Sequence, residues 1–133
     1  KHMKKTIYTA ALFLTIGIAA TSCKKESTPT PTVVGYWVGK YGNGAAAATL
    51  DYAFLFKADG TVKVYANNAD TSLASKAEGT YSVSGTKINT TYTYPGNIKY
   101  SSVSNADAEF TTMSGTWGSG TSTTGNTFYL NKK

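Results

Sequence analysis

Histidine, cysteine and paired acids are the side chains that most often do chemistry, and this chain has little of any of them. Its 133 residues hold one histidine, His2, and one cysteine, Cys23. Seven acids are spread along the chain. Asp51, Asp59, Asp70, Glu78 and Asp107 fall at expected turns or on outward strand faces. Glu109 shares a face with Met113, Gly115 and Trp117, and a solvated edge position suits it better than an inward one. Glycosidase chemistry needs two facing carboxylates, and strand alternation provides no such pair. Asn67, Asn68 and Asp70 offer oxygen ligands, but they lack the spacing of a calcium loop. No catalytic residue, metal site or cofactor is expected, and the chain reads as a non-enzyme. What it does have is ten tyrosines and two tryptophans. Tyr41, Tyr52, Tyr81, Tyr92 and Tyr94 fall on inward faces, and rings that carry hydroxyls suit an amphipathic ligand or a sugar.

The positive charges are all lysine, and the net charge of +6 falls to +3 from Cys23 onward. Without one arginine to fork onto a base or phosphate, no nucleic-acid partner is expected.

Lys1 and His2 before Met3 read as a cloning scar. Residues 3–22 carry a short basic region (Lys4, Lys5), an apolar run from Ile7 to Ala20, and small residues before Cys23, the three parts of a secretory signal. The run is shorter than the ~20 residues a membrane-spanning helix needs. Ala20-Thr21-Ser22-Cys23 resembles a lipobox, with alanine where leucine is usual, and Cys23-Lys24-Lys25-Glu26 resembles the mature start of Bacteroidetes-type lipoproteins. The resemblance implies acylation of Cys23, attachment to the membrane through acyl chains, and an outer-membrane lipoprotein on the periplasmic or cell-surface side. It would also leave no free thiol. Residues 23–32 then form the lipidated N-terminus and a tether, whose STPTPT segment is stiffened by proline. The folded domain spans 33–133.

Within that domain the period is two. Trp37, Gly39 and Tyr41 share a face, as do Leu50, Tyr52, Phe54 and Phe56. Asp59-Gly60 marks a tight primed hairpin turn into Val62 and Val64. Ala77, Gly79, Tyr81 and Val83 form the next face, followed by Ile88, Thr90, Tyr92 and Tyr94. Ile98 to Val103 is a serine-rich strand, Glu109 to Trp117 another, and Thr127 to Leu130 the last. Eight strands with short turns and no helix predict an all-β fold, an antiparallel up-and-down meander closed into a small barrel, with a β-sandwich as the alternative.

Gly35-Tyr36-Trp37 on the first strand resembles the Gly-x-Trp of lipocalin-like barrels, and Gly115-Thr116-Trp117 is similar to the Gly-Thr-Trp pattern of avidin-like ones. The lipocalin resemblance implies that Trp37 closes the barrel floor against a basic residue from near the last strand, usually arginine. Only Lys132 and Lys133 stand there, poor substitutes for a guanidinium. Two functions follow as expectations. One is a tethered barrel holding a small amphipathic ligand, lipid or glycan fragment. The other is a packed barrel that meets a protein partner.

Overall fold

The computed structural model describes residues 29–133. The expected scar, signal and acylated Cys23, and the first part of the tether, lie outside them. Eight strands follow one another: β1 (Gly35–Gly42), β2 (Leu50–Phe56), β3 (Thr61–Ala66), β4 (Ser75–Ser84), β5 (Lys87–Tyr94), β6 (Ile98–Ala106), β7 (Thr112–Ser119) and β8 (Asn126–Lys132). Each pairs antiparallel with its successor, and β8 returns to pair with β1. The sheet is therefore closed, which rules out the sandwich, and the described residues contain no helix.

Alternation explains why these segments close rather than lie flat. Every second side chain along β2 and β3 is large and apolar, and Phe54, Phe56, Val62 and Val64 are buried almost completely. Their neighbours face out, where Lys40 pairs with Asp51 at 2.5 Å and Lys63 with Glu78 at 2.9 Å. Both ion pairs join residues in direct cross-strand register, so they reinforce the pairing that burial dictates. Ile88, Met113, Phe128 and Leu130 complete the core from β5, β7 and β8.

Four local expectations need correction. The β2–β3 hairpin is a three-residue loop, closed by Lys57 N–H donating to the Thr61 carbonyl at 2.9 Å, and not a two-residue primed turn. Gly60 alone in the loop has positive φ, +82°, while the Asp59 carboxylate accepts from Thr61 N–H at 2.9 Å and from the Thr61 hydroxyl at 2.6 Å. Strand β6 does not stop at Val103, because Ser104 and Asn105 pair on both sides and Ala106 pairs with Met113 of β7. Residues 107–111 form a turn where the seventh strand was expected to begin. Asp107 Oδ1 accepts from the N–H groups of Thr111 and Thr112, Phe110 tucks inward at φ +51°, and Glu109 is exposed. Val83, expected inward, lies near the end of β4 and is exposed, beyond the reach of the core.

The two ends of the barrel differ. At one end Trp37 is fully buried, its indole N–H donating to the Val33 carbonyl at 2.7 Å and its ring meeting Phe56 edge-on at 6.5 Å. Lys132, expected to serve poorly, takes the basic position here. Its Nζ lies 5.7 Å from the Trp37 ring centroid and donates to the Thr32 carbonyl at 2.5 Å. A lysine suffices because the indole needs only a point charge over its face, and the entering chain supplies the hydrogen-bond acceptor. The other end is open.

Candidate functional site

The open end is built where β1, β3, β5 and β7 finish and β2, β4, β6 and β8 begin, so the longer loops gather around it. Inside lies a cavity of about 430 Å³. Its wall is aromatic: Tyr41 from β1, Tyr52 from β2, Tyr92 and Tyr94 from β5, Tyr100 from β6 and Trp117 from β7. Ala66 leaves room on the β3 side, and Asn67, Lys76 and Ile98 stand toward the rim.

These rings form a closed circuit. Tyr41 meets Trp117 at 5.6 Å between centroids, and Trp117 meets Tyr100 at 5.5 Å, both edge to face. Tyr100 stacks on Tyr92 at 6.1 Å, and Tyr52 returns to Tyr41 at 5.0 Å. The remaining link is a hydrogen bond of 2.5 Å between the hydroxyls of Tyr52 and Tyr92. Strands β2 and β5 are not neighbours in the sheet, so this bond runs across the lumen. It works as a crossbar, with the packed core on one side and the cavity on the other. Edge-to-face geometry places the positive rim of one ring against the negative face of the next, which fixes each ring's tilt.

Burial sets the protonation of the circuit. It holds the Tyr52 hydroxyl well above the ordinary tyrosine range, and the nearby Tyr92 adds to the effect. Burial pushes Tyr92 up to about 12 against a partial downward pull from the bond to Tyr52. Tyr94 is raised further by the same cause, and Tyr41 is raised by burial and by Tyr100. These four hydroxyls thus stay protonated over the physiological range. Toward the rim, Tyr41 donates to the Asn67 side-chain oxygen, and Asn67 itself holds φ at +69° to turn the chain off β3.

Of the five tyrosines singled out in the sequence, four meet here. Tyr81 does not. It faces inward at the opposite end, packing on Phe56 at 4.9 Å and donating its hydroxyl to the Lys57 carbonyl at 2.6 Å. Alternation gives the face of a strand but not the height along it, and Tyr81 lies far along β4 from the mouth. Tyr100 and Trp117 are wall residues that the sequence reading did not assign. Tyr100 was concealed because the inner face of β6 continues with Ser102 and Ser104, so no apolar stripe marks it.

Comparison with known proteins adds little. No family model and no curated protein matches the chain. Among solved structures, a crystal structure of a mutant of the fluorescent protein UnaG matches with a TM-score of 0.43 and 13% identity, covering 75% of this chain and 95% of that one. A likeness at that level carries no argument about the site. Fold and cavity together define a class, a closed eight-stranded barrel with an aromatic cup at one end.

Proposed function

We propose that this chain is a membrane-tethered binding lipoprotein that holds a small amphipathic ligand in the aromatic cup. The observation that carries the reading is the cavity itself, about 430 Å³ of space inside a barrel that is otherwise filled. Binding sites for small molecules span roughly 300–1,000 Å³ and combine apolar walls with a few polar groups, as this one does. The cup is too shallow for a long acyl chain to thread the barrel, because the Tyr52–Tyr92 crossbar and the phenylalanines beyond it fill the path. Of the ligands expected from the sequence, a compact ring or glycan fragment suits it better than a lipid.

The tether supports the same reading. Residues 29–34 enter at the closed end, where Thr32 is bound by Lys132. A chain acylated at Cys23 in an outer membrane would turn its mouth away from the bilayer, toward soluble ligands. The cup offers a ligand tyrosine hydroxyls and aromatic faces, which supports a binding role.

The test is a titration of the purified chain with N-phenyl-1-naphthylamine, an uncharged amphipathic fluorophore. We expect a saturable one-site rise in fluorescence, abolished by Ala66→Trp, which fills the cup from β3. No saturable rise, or an unchanged one in a folded Ala66→Trp variant, would defeat the proposal. A second reading, a protein partner seated over the mouth, draws on the exposed Leu50, Leu73 and Ile98 around the rim. Partner binding that is lost with Leu73→Asp and kept with Ala66→Trp would favour it.

A further inference from the structure

The tyrosine hydroxyls of the cup divide into two sets. Tyr41 donates to the Asn67 side-chain oxygen, and Tyr52 and Tyr92 bond to each other across the lumen. Tyr94 on β5 and Tyr100 on β6 have no such partner among the described residues, and both line the cavity. Both are half-buried. Their hydroxyls are not among the sealed atoms that lack a partner, which are Thr90 Oγ1, Ser102 Oγ and Trp117 Nε1, so they keep access to the space their rings enclose. The two rings meet edge to face at 5.9 Å between centroids. Tyr100 stands level with Tyr92, and Tyr94 lies one inward position nearer the mouth, so the free hydroxyls share one side of the cup. Burial raises Tyr94 well above the ordinary tyrosine range, and Tyr92, Tyr41 and Tyr100 add to the rise, as hydroxyls that face one space must.

A phenol hydroxyl both donates and accepts, and one set in an aromatic wall is best met by a partner that does the same. A carbonyl or carboxylate would engage only its proton, and an ammonium only its lone pairs. Charge is opposed as well. No carboxylate lines the cavity to pair with an ammonium. The one cation that does, Lys76, is exposed near the rim, and its Nζ donates to the Ser72 carbonyl at 3.4 Å. A carboxylate among the rings would therefore lie without a counter-ion. A ligand hydroxyl matches both functions of each tyrosine and brings no charge.

We infer that the ligand bears a hydroxylated ring, seated against the aromatic circuit with its hydroxyls exchanging hydrogen bonds with Tyr94 and Tyr100. This rests on the proposed binding role and makes it specific. The circuit takes the ring, and the two free phenols take the hydroxyls. The C–H face of a sugar and the flat face of a catechol both pack on aromatic rings, so that chemistry has two sources.

The experiment uses the full chain and follows displacement of bound N-phenyl-1-naphthylamine by methyl β-glucopyranoside, catechol and benzene. The readout is the affinity of each hydroxylated ring divided by that of benzene. It is taken in the parent and in Tyr94→Phe and Tyr100→Phe, which keep the ring and remove one hydroxyl. The glucoside or catechol should displace the dye, and which of them does so names the source. Its ratio should fall by about fivefold in each variant, the contribution of one hydrogen bond between neutral groups. In Tyr41→Phe, whose hydroxyl is bonded to Asn67, the ratio should fall by less than about twofold. Removing an unpartnered hydroxyl breaks no bond in the fold, so Tyr94→Phe and Tyr100→Phe should still bind the dye; loss of dye binding in either would show a structural hydroxyl and overturn the inference. Ratios that do not move in these two variants, a fall as large in Tyr41→Phe, or dye that neither hydroxylated ring displaces also overturns it and leaves the binding role intact. If the dye does not bind the parent, both fall.

Discussion

Replacing Trp37 by alanine tests whether the closed end holds the barrel together. The indole is fully buried, donates to the Val33 carbonyl at 2.7 Å, and lies under the Lys132 ammonium. Truncating a buried tryptophan to alanine costs ~3–5 kcal/mol in transfer and cavity terms. The Val33 carbonyl also loses its indole donor, which places the variant toward the upper part of that range. Domains of this size are stable by about 5–15 kcal/mol, so roughly a quarter or more of the total is at stake. Trp117→Ala is the control. That ring is half-buried at the cavity, has no hydrogen bond to lose, and keeps edge contacts only with Tyr41 and Tyr100. Its truncation should cost about 1–2 kcal/mol. Urea unfolding of the two variants separates the cases, because a slope near 2 kcal/mol per molar turns the difference into roughly one molar in midpoint. A Trp37→Ala midpoint equal to that of the parent, or a greater loss from Trp117→Ala, would refute the argument.

The crossbar invites a double-mutant cycle. Tyr52→Phe or Tyr92→Phe alone should cost about 1 kcal/mol in urea unfolding, since the surviving hydroxyl can turn to cavity water, and the double variant should cost no more than either single one; additive losses would show the bond to be idle. Stability should also fall at alkaline pH. The folded state keeps Tyr92 protonated to about pH 12, whereas the unfolded chain ionises it near 10, so the unfolded state binds fewer protons in between. The contribution is complete below pH 10 and is lost as pH rises toward 12. At about 1.4 kcal/mol per unit it amounts to roughly 3 kcal/mol from Tyr92, read as the pH dependence of the urea midpoint and weakened in Tyr92→Phe. Finally, Cys23→Ser should abolish acylation and release the protein from the membrane fraction; acyl labelling that persists in the variant would end the lipoprotein reading.

The number of strands, their faces and the closed sheet were legible in the sequence because the alternating residues are bulky. Tyr52, Phe54 and Phe56 cannot face water together, and Val62 and Val64 must answer them across the hairpin. Legibility failed where the inner face is small or polar. Ser102 and Ser104 are buried, yet nothing in their composition separates them from a surface strand, so β6 was read short and Tyr100 was passed over. It failed also along the axis, as Tyr81 shows, because a two-residue period carries no information about depth. The turn at 107–111 escaped because Phe110 looks like a strand residue. Its left-handed backbone is imposed by the hydrogen bonds that Asp107 accepts, a tertiary demand that no propensity records.

The pairing of β1 with β8 has a consequence in time. Seven of the eight seams join neighbours in sequence and can form as local hairpins, but the eighth joins Gly39 to Leu130, some ninety residues away. Local seams form early and cheaply in entropy, whereas this one must wait for nearly the whole domain to be ordered. During synthesis β1 therefore has one bare edge until β8 emerges. A chain stopped short of β8 would be an open sheet with two unpaired edges rather than a smaller barrel, and such edges template aggregation. Gly39 sits on this seam, where an added methyl group would overlap the Tyr129 carbonyl. The last seam to close thus depends on a residue with no side chain, and a single carbon there would hold it ajar.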